Sequence, residues 1–136
     1  MRVKDIMSRE MKTCRLDDTI DKIAKEMVKY DVSMFVVVSN KSRGLIPLGV
    51  ITKGDIASKV VGEGRVPEEM RVRDVFCAPV RTVYAMDTIE FLSEKLHARN
   101  LRNLVVLDED DNIVGVCGTS DILKVAGGRE IDTIMI

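Results

Sequence analysis

Between Ile20 and Val28 the apolar positions Ile20, Ile23, Ala24, Met27 and Val28 fall at i, i+3, i+4, i+7 and i+8, which predicts one amphipathic helix. The run "FVVV" at 35–38 follows without alternation, which predicts a strand covered on both faces. After a turn, a second strand ends at Gly49-Val50-Ile51, and a second helix is predicted from Thr52, with Gly62 as its stop. The extended segment "MKTCRL" precedes the first helix, whose predicted N-cap is Asp18, with Asp21 three residues on. The order is β-α-β-β-α.

That order is written twice. "MRVKDIM" at Met1 returns as "MRVRDVF" at Met70, and at the same offset of 69 "DDTIDKI" (17–23) meets "MDTIEFL" (86–92) and "FVVV" meets "LVVL" (104–107). Beyond these the offset becomes 66, because "SNKSRGLIPL" is three residues longer than "DEDDNIV"; "GVITKGDI" (49–56) then lies on "GVCGTSDI" (115–122). Whole motifs in register with one loop-sized gap make an internal duplication. In the second copy "VRTVYA" is the extended segment, Asp87 with Glu90 the helix start, and Ile89, Leu92 and Leu96 the stripe. Its second helix begins near Thr119 and Gly127 is the predicted stop. The linker "VGEGRVPEEM" divides repeat 1 (1–64) from repeat 2 (65–136). A unit of about 60 residues is marginal alone, so the two are expected to share a core.

Composition adds mainly exclusions. At 46% apolar and 32% charged residues the 136-residue chain reads as soluble and globular. No apolar run reaches the roughly 18 residues of a membrane span, and "MRVKDIMSREMK" lacks the core of a signal peptide, so cytoplasm is the expected location. A net charge of −1 with alternating signs offers no basic face for nucleic acid. Cys14, Cys77 and Cys117 are scattered and form no C-x-x-C, and His97 is the single histidine, so no zinc cluster is readable and buried reduced thiols are expected. No nucleophile–base–orienter set is visible, so an enzyme is not predicted, and no cofactor is required.

Binding chemistry concentrates at "TKGD", Thr52 to Asp55. A carboxylate accepts hydrogen bonds from both hydroxyls of a ribose diol, each contributing roughly 1.5–3 kcal/mol. Backbone N–H groups and the Thr52 hydroxyl at the helix start suit phosphate oxygens. The same spacing is a capping box, with Asp55 favoured by the helix dipole, and both readings stand at this point. In the second copy "GTSD" offers Asp121. There Gly118 removes a hydroxyl, Thr119 or Ser120 can compensate, and Gly118 allows close backbone approach.

The repeat resembles the CBS domain (cystathionine-β-synthase type) over nearly the whole chain, carried by "MKTCRLDDTIDKIAKEM", "PLGVITKGDI", "VRTVYAMDTIEFLSEKL" and "NLVVLDEDDNIVGVCGTSDIL". The resemblance implies an α/β (α+β) fold of two β-α-β-β-α repeats packed about a pseudo-twofold axis, a Bateman module. It implies clefts between the repeats that take AMP, ADP, ATP or S-adenosylmethionine, with Asp55 and Asp121 as ribose contacts. Arg102 and Arg99 of "HARNLRNL" would turn toward phosphates, whereas "YDVSMF" in repeat 1 has no basic residue and sets Asp31 opposite Asn100; Lys53 would neutralise in part. The stretches Ser8 to Lys12 (Ser8, Met11, Lys12) and Cys77 to Arg81 (Cys77, Val80, Arg81) would border the adenine, each from the repeat opposite the ribose Asp. Met11 or Val80 would pack on the purine face. Because the two repeats fill the sequence, a stand-alone sensor signalling in trans to an unknown protein is expected. Val28, Phe91 and the tail "IDTIMI" would suit a homodimer. The alternative is an interaction scaffold with vestigial pockets.

Overall fold

The structure, a computed structural model, describes residues 1–41 and 44–126. The chain forms two compact units: Met11–Val80, called the first unit here, and Met1–Glu10 together with the chain from Arg81 onward, the second unit. In the first, β1 (Thr13–Cys14) pairs parallel with β2 (Met34–Lys41), and β2 pairs antiparallel with β3 (Gly44–Thr52). Helix α1 (Ile20–Tyr30) covers this sheet, and α2 (Lys53–Ile56) widens into a π turn at Ala57–Val61. The second unit repeats the plan with β4 (Thr82–Tyr84), α3 (Ile89–Ala98), β5 (Asn103–Leu107), β6 (Ile113–Gly118) and α4 (Thr119–Ala126).

The predicted helix stripe is real but one residue narrower than expected. Ile20, Ile23 and Met27 are buried, whereas Val28 is 80% exposed. The N-caps are Thr19 and Thr88, one residue later than predicted. Asp18 and Asp87 instead accept the backbone N–H groups of Arg15 and Tyr84, both at 2.8 Å, and close the turn that enters each helix. Helix α1 ends on left-handed Asp31 (φ 53°) and α3 is followed, one residue past its cap Arg99, by left-handed Asn100 (φ 52°), types that tolerate this region. Val32 N–H then bonds Met27 O at 3.0 Å and Leu101 N–H bonds Leu96 O at 2.9 Å, which satisfies carbonyls the helix end would leave open. Gly62 stops the π turn as predicted, its N–H on Ala57 O at 2.7 Å, though in a right-handed conformation. Gly127 and the tail 131–136 lie outside the described residues.

All four residues of "FVVV" are at most 1% exposed, as a strand without alternation requires. On the helix side Phe35, Val37 and Ile51 join Ile20, Ile23 and Met27 in the core of the first unit; Leu104, Val106 and Cys117 join Leu92 and Leu96 in that of the second. The pairing register shifts between Val37 and Val38 and again at Val106/Leu107, the same place in each copy.

Each core is completed by a segment from the other sequence copy. Val3, from "MRVKDIM", is fully buried in the second unit, and Val72, from "MRVRDVF", is fully buried in the first. The docking bonds repeat residue for residue. Val3 N–H and Lys4 N–H bond Asp87 O and Ala85 O at 2.9 Å each; Val72 N–H and Arg73 N–H bond Asp18 O and Leu16 O at 2.9 and 3.0 Å. Farther along, Ser8 exchanges two backbone bonds with Val116 (2.8 and 2.9 Å) and Cys77 exchanges two with Val50 (2.8 and 3.1 Å). Repeats in sequence and compact units are therefore two different cuts of the chain.

Candidate functional site

The turn from β3 into α2 carries Thr52, Lys53 and Asp55. Both halves of the capping box form. Asp55 N–H bonds Thr52 Oγ1 at 3.1 Å, while Thr52 N–H and Thr52 Oγ1–H donate to Asp55 Oδ2 at 2.9 and 3.0 Å. The capping reading thus uses Oδ2 alone. The other oxygen, Oδ1, meets the Lys59 ammonium at 3.4 Å and the Cys77 thiol at 3.4 Å. Lys59 Nζ also reaches Val75 O at 3.1 Å and Cys77 Sγ at 3.5 Å. Burial works against the Lys59 charge, but the Asp55 carboxylate and the Cys77 contact outweigh it and hold the ammonium pKa above its ordinary value. Burial, then Asp55, raises the Cys77 thiol.

The turn from β6 into α4 is built more openly. Gly118 N–H donates to Asp121 Oδ2 at 2.9 Å, the counterpart of the Thr52 bond. Among the described residues Asp121 has no ion pair. Gly118 was expected to allow close backbone approach, and the backbone it admits is the protein's own. A Cβ built there would stand 2.0 Å from the Arg102 carbonyl oxygen and 2.5 Å from Asn103 Oδ1. Restoring the threonine of the first copy by Gly118→Thr should therefore cost about 2 kcal/mol, read as a lower urea midpoint at unchanged slope.

The remaining predicted residues divide between the units. Ser8 lies with Asp121 and Cys77 lies with Asp55, so each of these lead-in residues sits with the ribose candidate of the other sequence copy. The boundaries fall inside the two stretches: Met11, Lys12 and Val80 belong to the first unit, Arg81 to the second. Met11 and Val80 are half-buried. Lys12 and Lys53 are exposed, the Lys12 ammonium lying 4.0 Å above the Tyr30 ring. Arg99 ends α3 and Arg102 precedes β5; both are exposed, as is Ser120, and the Arg102 carbonyl accepts the Thr119 N–H at 3.0 Å. Of the thiols expected to be buried, Cys14 and Cys117 are, and burial pushes both pKa values up to about 12; Cys77 is exposed.

Sequence reasoning missed Lys59, although its i+4 spacing from Asp55 on a predicted helix is a legible ion-pair signal. A hollow of about 450 Å³ is lined by Tyr84, Met86, Asp87, Asp108 and Glu109, none of them a predicted site residue. Among the described residues no helix is long and apolar enough to cross a membrane, and no group of three or more His, Cys, Asp and Glu is placed to hold a metal.

Comparison with known proteins sets this geometry in a family. The CBS domain pattern matches residues 3–62 and again residues 72–128. A protein of Methanopyrus kandleri without assigned function is 28% identical over 90% of this chain and 61% of its own. The homoserine O-acetyltransferase of Methanococcus vannielii is 28% identical over 88% of this chain, which spans only 24% of that enzyme. A CBS domain pair solved in complex with 5′-methylthioadenosine and S-adenosyl-L-methionine shares the fold, with a TM-score of 0.79 at 23% identity over 95% of this chain and 98% of that one. With both repeats matched, and with the strand order and the strand-to-helix turns recurring in each unit, this chain belongs to the CBS domain family.

Proposed function

We propose that this chain is a regulatory module that binds an adenosine-bearing ligand, AMP, ADP, ATP or S-adenosylmethionine, and signals its occupancy to a protein partner in trans. The observation that carries the reading is the repeated turn. In both units a carboxylate is held at 2.9 Å by the backbone N–H three residues earlier, beside a lead-in from the other copy. A carboxylate fixed in this way is preorganised to accept a diol. The fold shared with the pair that bound methylthioadenosine and S-adenosylmethionine supports the ligand class.

In this reading Asp55 and Asp121 take ribose hydroxyls, and Arg102 with Arg99 meets phosphate beside Asp121. Ser120 and Thr52 line the helix starts. No bond is made or broken, so the module works in the cytoplasm by binding, not catalysis. Val28 (80% exposed) and Phe91 (47% exposed) give the helices apolar faces for a homodimer. Those same faces favour the second reading, a scaffold with vestigial pockets.

A melting screen separates the two. Ligand at about one hundred times its dissociation constant should add roughly 2.7 kcal/mol, a shift of several degrees for a chain of this size. Asp55→Ala and Asp121→Ala should each weaken a different binding event in calorimetry. If none of the adenosine compounds moves the melting point, the scaffold reading takes over.

A further inference from the structure

The two ribose candidates differ in how much of the carboxylate is already spoken for. An ionised carboxylate offers about four acceptor directions. At Asp55 four donors face it: Thr52 N–H and Thr52 Oγ1–H on Oδ2, Lys59 and Cys77 on Oδ1. The Asp55 side chain is only 12% exposed, so water does not compete freely for the same oxygens. At Asp121 the Gly118 N–H takes one direction and no cation pairs with the group among the described residues. The reason lies in three substitutions between the copies, the first being Gly118, which lacks the hydroxyl of Thr52. Val125 stands where Lys59 would be, and Ser8 stands where Cys77 would be. The Ser8 hydroxyl donates to Glu10 O at 3.2 Å, not to Asp121.

We infer that Lys59 gates the Asp55 turn: its ammonium, seconded by the Cys77 thiol, holds the carboxylate oxygen that a ribose hydroxyl needs, so the Asp121 turn fills first. This rests on the adenosine reading above. Lys59 also fastens the lead-in through Val75 O and Cys77. A purely structural role is therefore the rival, and the two roles predict opposite signs. Cutting a fastener loosens the lead-in and weakens ligand binding. Removing a gate strengthens it. An ion pair whose lysine is 43% exposed is worth about two- to fivefold in an equilibrium constant.

The test is calorimetry on the full chain with 5′-methylthioadenosine, which brings no charge of its own to the lysine. The parent protein should show two unequal affinities, and Asp121→Asn should remove the tighter. Adding Lys59→Met, which keeps the length of the stem, should tighten the remaining event about two- to fivefold. Lys59→Gln serves as a second variant, and melting curves report whether each one folds. Binding by the Lys59 variants where the parent binds nothing also supports the gate. Unchanged or weaker binding in folded Lys59 variants of a protein that does bind overturns the gate and leaves the adenosine reading standing. So does loss of the tighter event in Asp55→Asn instead of Asp121→Asn. No binding in the parent or in any variant overturns both.

Discussion

Alanine at Gly49 or at Gly115 should destabilise the protein by about 3 kcal/mol, the upper range for overpacking a site that cannot yield. A Cβ on Gly49 would stand 2.0 Å from Cys77 O and 2.9 Å from Phe76 Cδ2; one on Gly115 would stand 2.3 Å from Ser8 O. Neither carbonyl can retreat cheaply. Cys77 exchanges two backbone bonds with Val50, and Ser8 exchanges two with Val116, one residue past each glycine. Making room means breaking a docked lead-in away from β3 or β6. For a chain of this size the cost corresponds to a melting drop of roughly 10 °C. Gly54→Ala is the control. Its nearest neighbour would be Thr52 Oγ1 at an ordinary 3.6 Å, and alanine in a helix should add about 0.5–1 kcal/mol. Gly49→Ala melting like the parent would sink the close-approach argument.

Those two glycines also show what a single sequence reveals and what it hides. They align at the offset of 66, as do the turns "TKGD" and "GTSD", while the helix stripes and the left-handed pair Asp31 and Asn100 align at 69. Each of these answers a local demand of spacing, helix ending or close approach that the chain meets twice, so the duplication and the β-α-β-β-α order were readable. The destination of the lead-ins came from the family resemblance and not from the residues themselves. The repetition of "MRVKDIM" as "MRVRDVF" marks two equivalent segments, but two similar bodies offer similar seats for Val3 and Val72. The choice depends on the short connection from Gly62 to Glu69, which returns the second lead-in to the body it has just left.

At Asp55 the sequence left capping and ribose binding as rivals. Resolved by oxygen, they are not exclusive, because Oδ2 makes the cap and Oδ1 faces Lys59 and Cys77. Lys59 was visible as an i+4 partner, whereas Cys77 reaches Asp55 only through the docked lead-in. At Gly118 the missing side chain was visible, but the Arg102 carbonyl that requires its absence was not.

Removing residues 1–9 should unfold the second unit while sparing the first. Val3 is fully buried among Val83, Leu92, Leu96, Leu104, Val106 and Cys117, and burying a side chain of its size stabilises by about 1.5–3 kcal/mol. The same segment supplies the bonds of Val3 to Asp87, Lys4 to Ala85, and the reciprocal pair between Ser8 and Val116. At about 1 kcal/mol net for each of these four bonds, the loss reaches roughly 6 kcal/mol, comparable with the whole stability of many domains. The first unit keeps its own lead-in, Met70 to Cys77, since that segment lies within Met11–Val80. Hydrogen exchange of the truncated chain should therefore show lost protection in β5, β6 and α3 and retained protection in β2, β3 and α1. Uniform loss across both units would show that neither body stands without the other, and full retention would show that the exchanged segment contributes little. The milder change Val3→Ala should move the same amides in the same direction, by about 1–2 kcal/mol, because it removes two buried methyl groups and leaves every backbone bond in place.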